Sequence, residues 1–233
     1  MEKFKIATVG LCFLTLSTGF VGCSTKQGTG ALLGAGGGAA LGSIIGAIAG
    51  HGKGAAIGAA IGGAVGSGAG ALIGRHMDKV AAEAAEQVKN AKVETVTDNN
   101  GLTAVKVTFD NGILFKVGKA DLQATAKNDL TKFASVLKGN TDCSVDIQGY
   151  ASSEGGAELN QTLSTSRAVS VRDYLVNTCG VGTTQIKNTQ GYGSTNLITN
   201  ADGSENRVAS RRVEVYLYAS QAMVDAANNG TLQ

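Results

Sequence analysis

Residues 143–177 read CSVDIQGYASSEGGAELNQTLSTSRAVSVRDYLVN, and the fold turns on this stretch. Cys143 to Gln148 predicts a strand. Gly149 to Gly156 is a loop rich in small residues, and about Ala157 to Asn177 predicts a helix carrying Leu163, Val171, Tyr174 and Leu175. Asn160 and Arg167 stand seven apart, two helical turns, so they share one face of that helix. The loop enters the helix N-terminus, where free backbone N–H groups and the helix dipole favour a carboxylate.

Outward from this unit the pattern keeps alternating. A strand near Ile186–Gly191 and a last strand Arg212–Tyr218 follow it. Before it, Leu122, Ala126, Leu130, Phe133 and Leu137 recur at helical spacing up to Gly139, and Ile113–Phe115 reads as a short strand after the Asn111-Gly112 turn. Thr103, Val105, Val107 and Phe109 alternate with polar residues behind Asn99-Asn100-Gly101, so 93–109 predicts a hairpin. Strand and helix alternation predicts an α+β sandwich of the βαβαβ type, a mixed sheet with helices on one face. Residues 75–92 read as an exposed helical spacer and 221–233 as a frayed tail.

The first third follows a different rule. From Gly30 to Gly74 twelve glycines fall four residues apart, and i, i+4 glycines in a helix make a groove where a second backbone can approach. His51-Gly52-Lys53 interrupts the run, so residues 28–74 predict a glycine-zipper helical hairpin in place of a linker, its Ile and Leu residues arguing for packing. Ahead of it, Lys3 and Lys5, an uncharged stretch from Ile6 to Phe20 and Val21-Gly22-Cys23 have the layout of an export signal over 1–22. The ending resembles a bacterial lipobox, which implies lipidation of Cys23 at the head of a short 23–27 segment, and Ser24 resembles outer-membrane sorting. With Cys12 removed and Cys23 lipidated, Cys143 and Cys179 remain, and an exported compartment predicts a disulfide between them.

Read as IxGYASxEGxxxxNxxLSxxRAxxVxxYL over 147–175, with GYG at 191–193, Arg207 and SRRVEV at 210–215, the C-terminal half resembles the OmpA-like peptidoglycan-binding domain. The glycine zipper ahead of it further resembles small envelope lipoproteins of that layout. The resemblance covers about 113–218, within an expected domain of 93–220. It implies non-covalent binding of the meso-diaminopimelate residue of peptidoglycan, with Arg167 as holder of a carboxylate and Asn160 and Ala151 in the pocket. Where the family usually has Asp for the ligand's ammonium, this sequence has Ser152. Glu154, two residues on, could restore the charge. Lys116 and Ser210 replace an Asp and an Asn usual in the family.

Composition narrows the rest. The net charge is +2, and removal of the signal leaves 18 basic and 17 acidic residues, so no bulk field holds a nucleic acid. His51 and His76 are the two histidines, a poor stock for metal cages or Ser-His-Asp hydrolysis. No acid/base pair or phosphate loop is recognisable. The expectation is therefore a binding protein, with neither enzyme activity nor cofactor nor metal: a lipid-anchored outer-membrane tether whose C-terminal domain lies in the periplasm. A zipper-driven oligomer or pore is the alternative.

Overall fold

The computed structural model describes residues 65–98 and 100–232. The expectations for the signal peptide, Cys23 and the zipper through residue 64 lie outside those residues. Within them the order is α1 (Ser67–Gln87), β1 (Ala91–Thr97), β2 (Thr103–Asp110), a helical turn α2 (Asn111–Leu114), α3 (Ala124–Gly139), β3 (Cys143–Tyr150), α4 (Ala157–Asp173) running into a π-helical turn (Tyr174–Thr178), β4 (Ile186–Gly191), a short α5 (Arg207–Ser210), β5 (Arg212–Ala219) and α6 (Gln221–Asn228).

The five strands form one sheet in the order β1-β2-β5-β3-β4. The α4 crossover makes β3 and β4 parallel, while β1–β2, β2–β5 and β3–β5 are antiparallel. The last strand therefore lies at the centre, and the halves of the domain close only when it inserts. Odd-numbered residues of β2, β3 and β5 (Val105, Val107, Phe109; Val145, Ile147; Val213, Val215, Leu217) point into one apolar core beneath the helices. Alternation along each strand sends even-numbered residues to the opposite face, where Tyr216 and Tyr218 pack with Ala104, Tyr218 bonds the Asp146 carboxylate, and Arg212 pairs with Glu214.

Several expectations are corrected. Residues 75–92 are not an exposed spacer: α1 crosses the expected boundary at residue 74 and packs against β1, β2, α3 and α6. Ala69, Ile73, Met77, Val80 and Ala84 repeat at 4, 4, 3 and 4 residues and are all buried. The larger of these side chains each contribute roughly 1.5–3 kcal/mol of gross burial, which outweighs the helix cost of about 1 kcal/mol for each of Gly68, Gly70 and Gly74. The end of the zipper thus belongs to the C-terminal domain. The tail is not frayed either, because Ser220 caps α6 by accepting from the Met223 N–H at 3.2 Å, and Met223, Val224 and Ala227 enter the core. Residues 113–115 form no strand: Asp110 accepts from the Gly112 N–H at 2.7 Å, winding a helical turn, and Phe115 alone bridges to Leu122.

The expected disulfide is absent. Cys143 and Cys179 are free thiols. Cys143 Sγ lies 3.8 Å from Met77 Sδ beneath α1, whereas Cys179 Sγ lies 3.8 Å from Thr131 Oγ1 on α3. Start of strand and end of helix do share one end of the layer, but each side chain is turned into a different interhelical seam. Among the described residues no helix is long and apolar enough to cross a membrane.

Candidate functional site

Two glycines set the position of α4. A Cβ on Gly149 would meet the Ser164 carbonyl oxygen at 2.1 Å, and one on Gly191 would meet the Thr165 nitrogen at 2.2 Å. Helix backbone therefore rests directly on the ends of β3 and β4. Beyond those ends the two chains stay joined, with Tyr192 N–H donating to Gly149 O at 2.8 Å and Ala151 N–H to Gly193 O at 2.7 Å. Ser164, fully buried, accepts from the Gly193 N–H at 2.9 Å. These bonds hold the 150–155 loop rigidly against the first turns of α4.

Asn160 completes that attachment. Its side-chain amide donates to Ser152 O at 3.0 Å and to Glu154 O at 2.9 Å, so both its N–H groups are spent on shaping the loop. Ala151 and Ser152 are buried at the floor. The Ser152 hydroxyl lies 3.5 Å from Arg211 Nη1. Glu154 reaches outward and accepts from Arg207 Nη1 at 3.0 Å and Arg211 Nη1 at 2.9 Å. Beside it, Ser153 donates from its N–H and its hydroxyl to the two carboxylate oxygens of Glu205. Both loop-side carboxylates thus already have cationic or hydroxyl partners.

Arg167 is differently placed. Its residue is 2% exposed, its Nε donates to Lys119 O at 3.1 Å, and its guanidinium carbon lies 5.4 Å from the centre of the Phe115 ring. Nη1 is buried with no hydrogen-bond partner among the described residues. Burial first, and the Arg211 cation second, push its pKa down to about 10, so it keeps its charge at neutral pH while lacking a counterion among the described residues. A buried guanidinium donor without an acceptor is costly. An anion entering between Arg167 and Arg211 would satisfy it, and a carboxylate fits the fork of donors.

The structure places Ala151, Ser152, Glu154, Asn160 and Arg167 at one end of the sheet. Asn160 turns out to be a scaffold for the loop. Arg207 and Arg211 both meet Glu154 at the loop; an arginine pair before a strand, as at 211 and 212, reads as structural or solvated, and the structural description fits Arg212. Arg212 Nε donates to Glu214 at 2.6 Å, its Nη1 to Asn196 O and Ser210 O, and its guanidinium carbon lies 4.1 Å from the centre of the Tyr150 ring. The one usable signal was parity, because adjacent residues of a strand end face opposite ways.

Residues 114–211 match the OmpA family model, and residues 1–78 match the YMGG-like Gly-zipper model. The probable lipoprotein YiaD of Escherichia coli is 35% identical over 142 residues, covering 61% of this chain and 63% of that protein. The peptidoglycan-binding protein ArfA of Mycobacterium tuberculosis is 35% identical over 113 residues, 48% of this chain and 34% of its own. The chain thus spans less than two thirds of the length of these relatives. A crystal structure of a putative MotB like protein from Desulfovibrio vulgaris superimposes with a TM-score of 0.52 at 19% identity, covering 64% of this chain and 94% of that one, a likeness of fold. Sequence motif, sheet topology and family match agree on the same segment: residues 114–211 are similar to the OmpA family and residues 1–78 to the YMGG-like Gly-zipper.

Proposed function

We propose that this protein is an envelope lipoprotein that tethers a membrane to the cell wall, its C-terminal domain holding the diaminopimelate centre of the peptidoglycan stem peptide without covalent chemistry. The observation that carries this reading is the partnerless buried Nη1 of Arg167 beside the Arg211 cation, a donor set built for a carboxylate. The ArfA relative, a peptidoglycan-binding protein by name, and the OmpA family match support the ligand class. Acylated Cys23 would anchor the chain in the outer membrane, with the domain in the periplasm.

The residues also define how the amino-acid centre would be read. Arg167 takes the carboxylate. At the ammonium side stands the Ser152 hydroxyl, a neutral acceptor, while the nearest carboxylate, Glu154, is held by Arg207 and Arg211. Recognition is then dominated by the carboxylate, with the ammonium contributing only neutral hydrogen bonds. Pulldown of the purified protein with sacculi, competed by free meso-diaminopimelate and by the deaminated dicarboxylate pimelate, tests this directly. Competition by both supports it. Failure of sacculi to retain the protein would remove the tether reading, and competition by diaminopimelate alone would restore a charged ammonium partner. Mass spectrometry of the mature N-terminus tests the anchor, which requires acylated Cys23.

A further inference from the structure

At the other end of the sheet from Ser152, α1 and the start of β3 bring together three side chains of metal-binding type. His76 Nε2 lies 3.4 Å from Asp142 Oδ2, and ligand atoms of His76, Asp142 and Cys143 all lie within 4.8 Å of one another. We propose that His76, Asp142 and Cys143 form a binding site for a borderline divalent cation of the zinc type, which clamps α1 to the sheet.

The geometry is that of a partly preformed tetrahedron. Zinc bonds of about 2.0–2.2 Å to nitrogen and carboxylate oxygen place those two ligands roughly 3.4 Å apart, the separation His76 and Asp142 already have. With a zinc–sulfur bond of about 2.3 Å, the sulfur must stand roughly 3.5 Å from the other two, so Cys143 has to close by about 1.3 Å at most. Its neighbour on the other side is Met77 Sδ at 3.8 Å, a flexible side chain that can follow such a shift. His76 and Asp142 side chains are 16% and 33% exposed, which gives the ion a path in and leaves the fourth position to water. A thiolate, an imidazole and a carboxylate are a set that suits zinc better than calcium or magnesium, whose ligands are oxygens. Burial and the adjacent Asp142 charge push the Cys143 thiol up, so without metal it is an unreactive core thiol. Binding releases its proton and places the cation between two negative ligands.

The placement gives the site a consequence. His76 lies two residues beyond the last zipper glycine, Gly74, so occupancy would pin the part of α1 that carries the end of the zipper.

Cobalt(II) titration of the purified full chain, followed by the near-ultraviolet thiolate-to-cobalt charge-transfer band, tests the proposal. The expected result is a saturable band that zinc displaces, that Cys143→Ser abolishes and that Cys179→Ser leaves intact. His76→Ala and Asp142→Asn, at partly exposed positions, should each weaken cobalt binding by at least about tenfold, since even partners that only support a ligand are worth that much. Zinc should also raise the wild-type melting temperature and not that of His76→Ala. No band and no zinc-dependent stabilisation in the wild type would overturn the site. So would an unchanged band in Cys143→Ser, or, if that variant does not fold, unchanged cobalt affinity in both His76→Ala and Asp142→Asn.

Discussion

Arg212 and Arg167 are both buried, at 4% and 2% exposed, yet the protein treats them in opposite ways. Around Arg212 stand Glu214 at 2.6 Å, two backbone carbonyls and the face of Tyr150, itself stacked on Tyr192. Around Arg167 there is one carbonyl, the Phe115 ring, an unanswered Nη1 and a second cation. The first cluster is complete without a ligand. The second leaves a buried donor and charge unanswered among the described residues, and the proposed binding role rests on that difference.

The comparison is broken most readily by deletion. Arg212→Ala strands the buried Glu214 carboxylate and should cost about 3–5 kcal/mol of folding stability, read by urea denaturation. A loss below about 1 kcal/mol would show that the closed cluster is ornamental. Arg167→Ala should behave the other way round. Sacculus binding should fall by one to two orders of magnitude, since a charge-assisted bond is worth about 1.5–3 kcal/mol. Its urea midpoint should stay level or rise, because an uncompensated buried cation has gone. Equal sacculus binding by the wild type and a folded Arg167→Ala would remove Arg167 from the site.

Smaller changes sharpen the picture. Ser152→Asp places a carboxylate opposite Arg211 and at the ammonium side, and should strengthen diaminopimelate binding by about 1 kcal/mol while weakening that of pimelate. Paired competition curves would show the two moving apart, and parallel shifts would contradict the assignment. Ser152→Ala removes a neutral hydroxyl and should change affinity by at most about 1 kcal/mol, the smallest effect of the set, measured by the same pulldown.

How far the sequence could be read depended on the range of the interaction. The strand–loop–helix unit of 143–177 was legible because its cues are local: alternation, a glycine loop, and Asn160 and Arg167 at helical spacing. Gly149 and Gly191 were visible as motif letters, but their reason was not, since it lies in the approach of α4 backbone to within a Cβ's reach. Residues 75–92 and 221–233 were misread because alanine-rich and polar helices look the same whether they face solvent or cover a sheet edge. Their small apolar stripes, Met77, Val80 and Ala84 in one and Met223 and Val224 in the other, gain meaning only from each other and from β2.

By itself the sequence determined the class of the domain, the order of most of its elements, and the shared helix face of Asn160 and Arg167, because those follow from periodicity and spacing along one chain. Tertiary structure alone decided that Arg211 faces the loop while Arg212 closes on Glu214, that Cys143 meets Met77 and not Cys179, and that the end of the glycine zipper is part of the core. The first of those outcomes depends on β5 inserting between β2 and β3. Strand order and side-chain direction across a sheet arise from contacts between residues more than a hundred positions apart, as between β2 and β5, and no local pattern encodes which of two facing groups will be met.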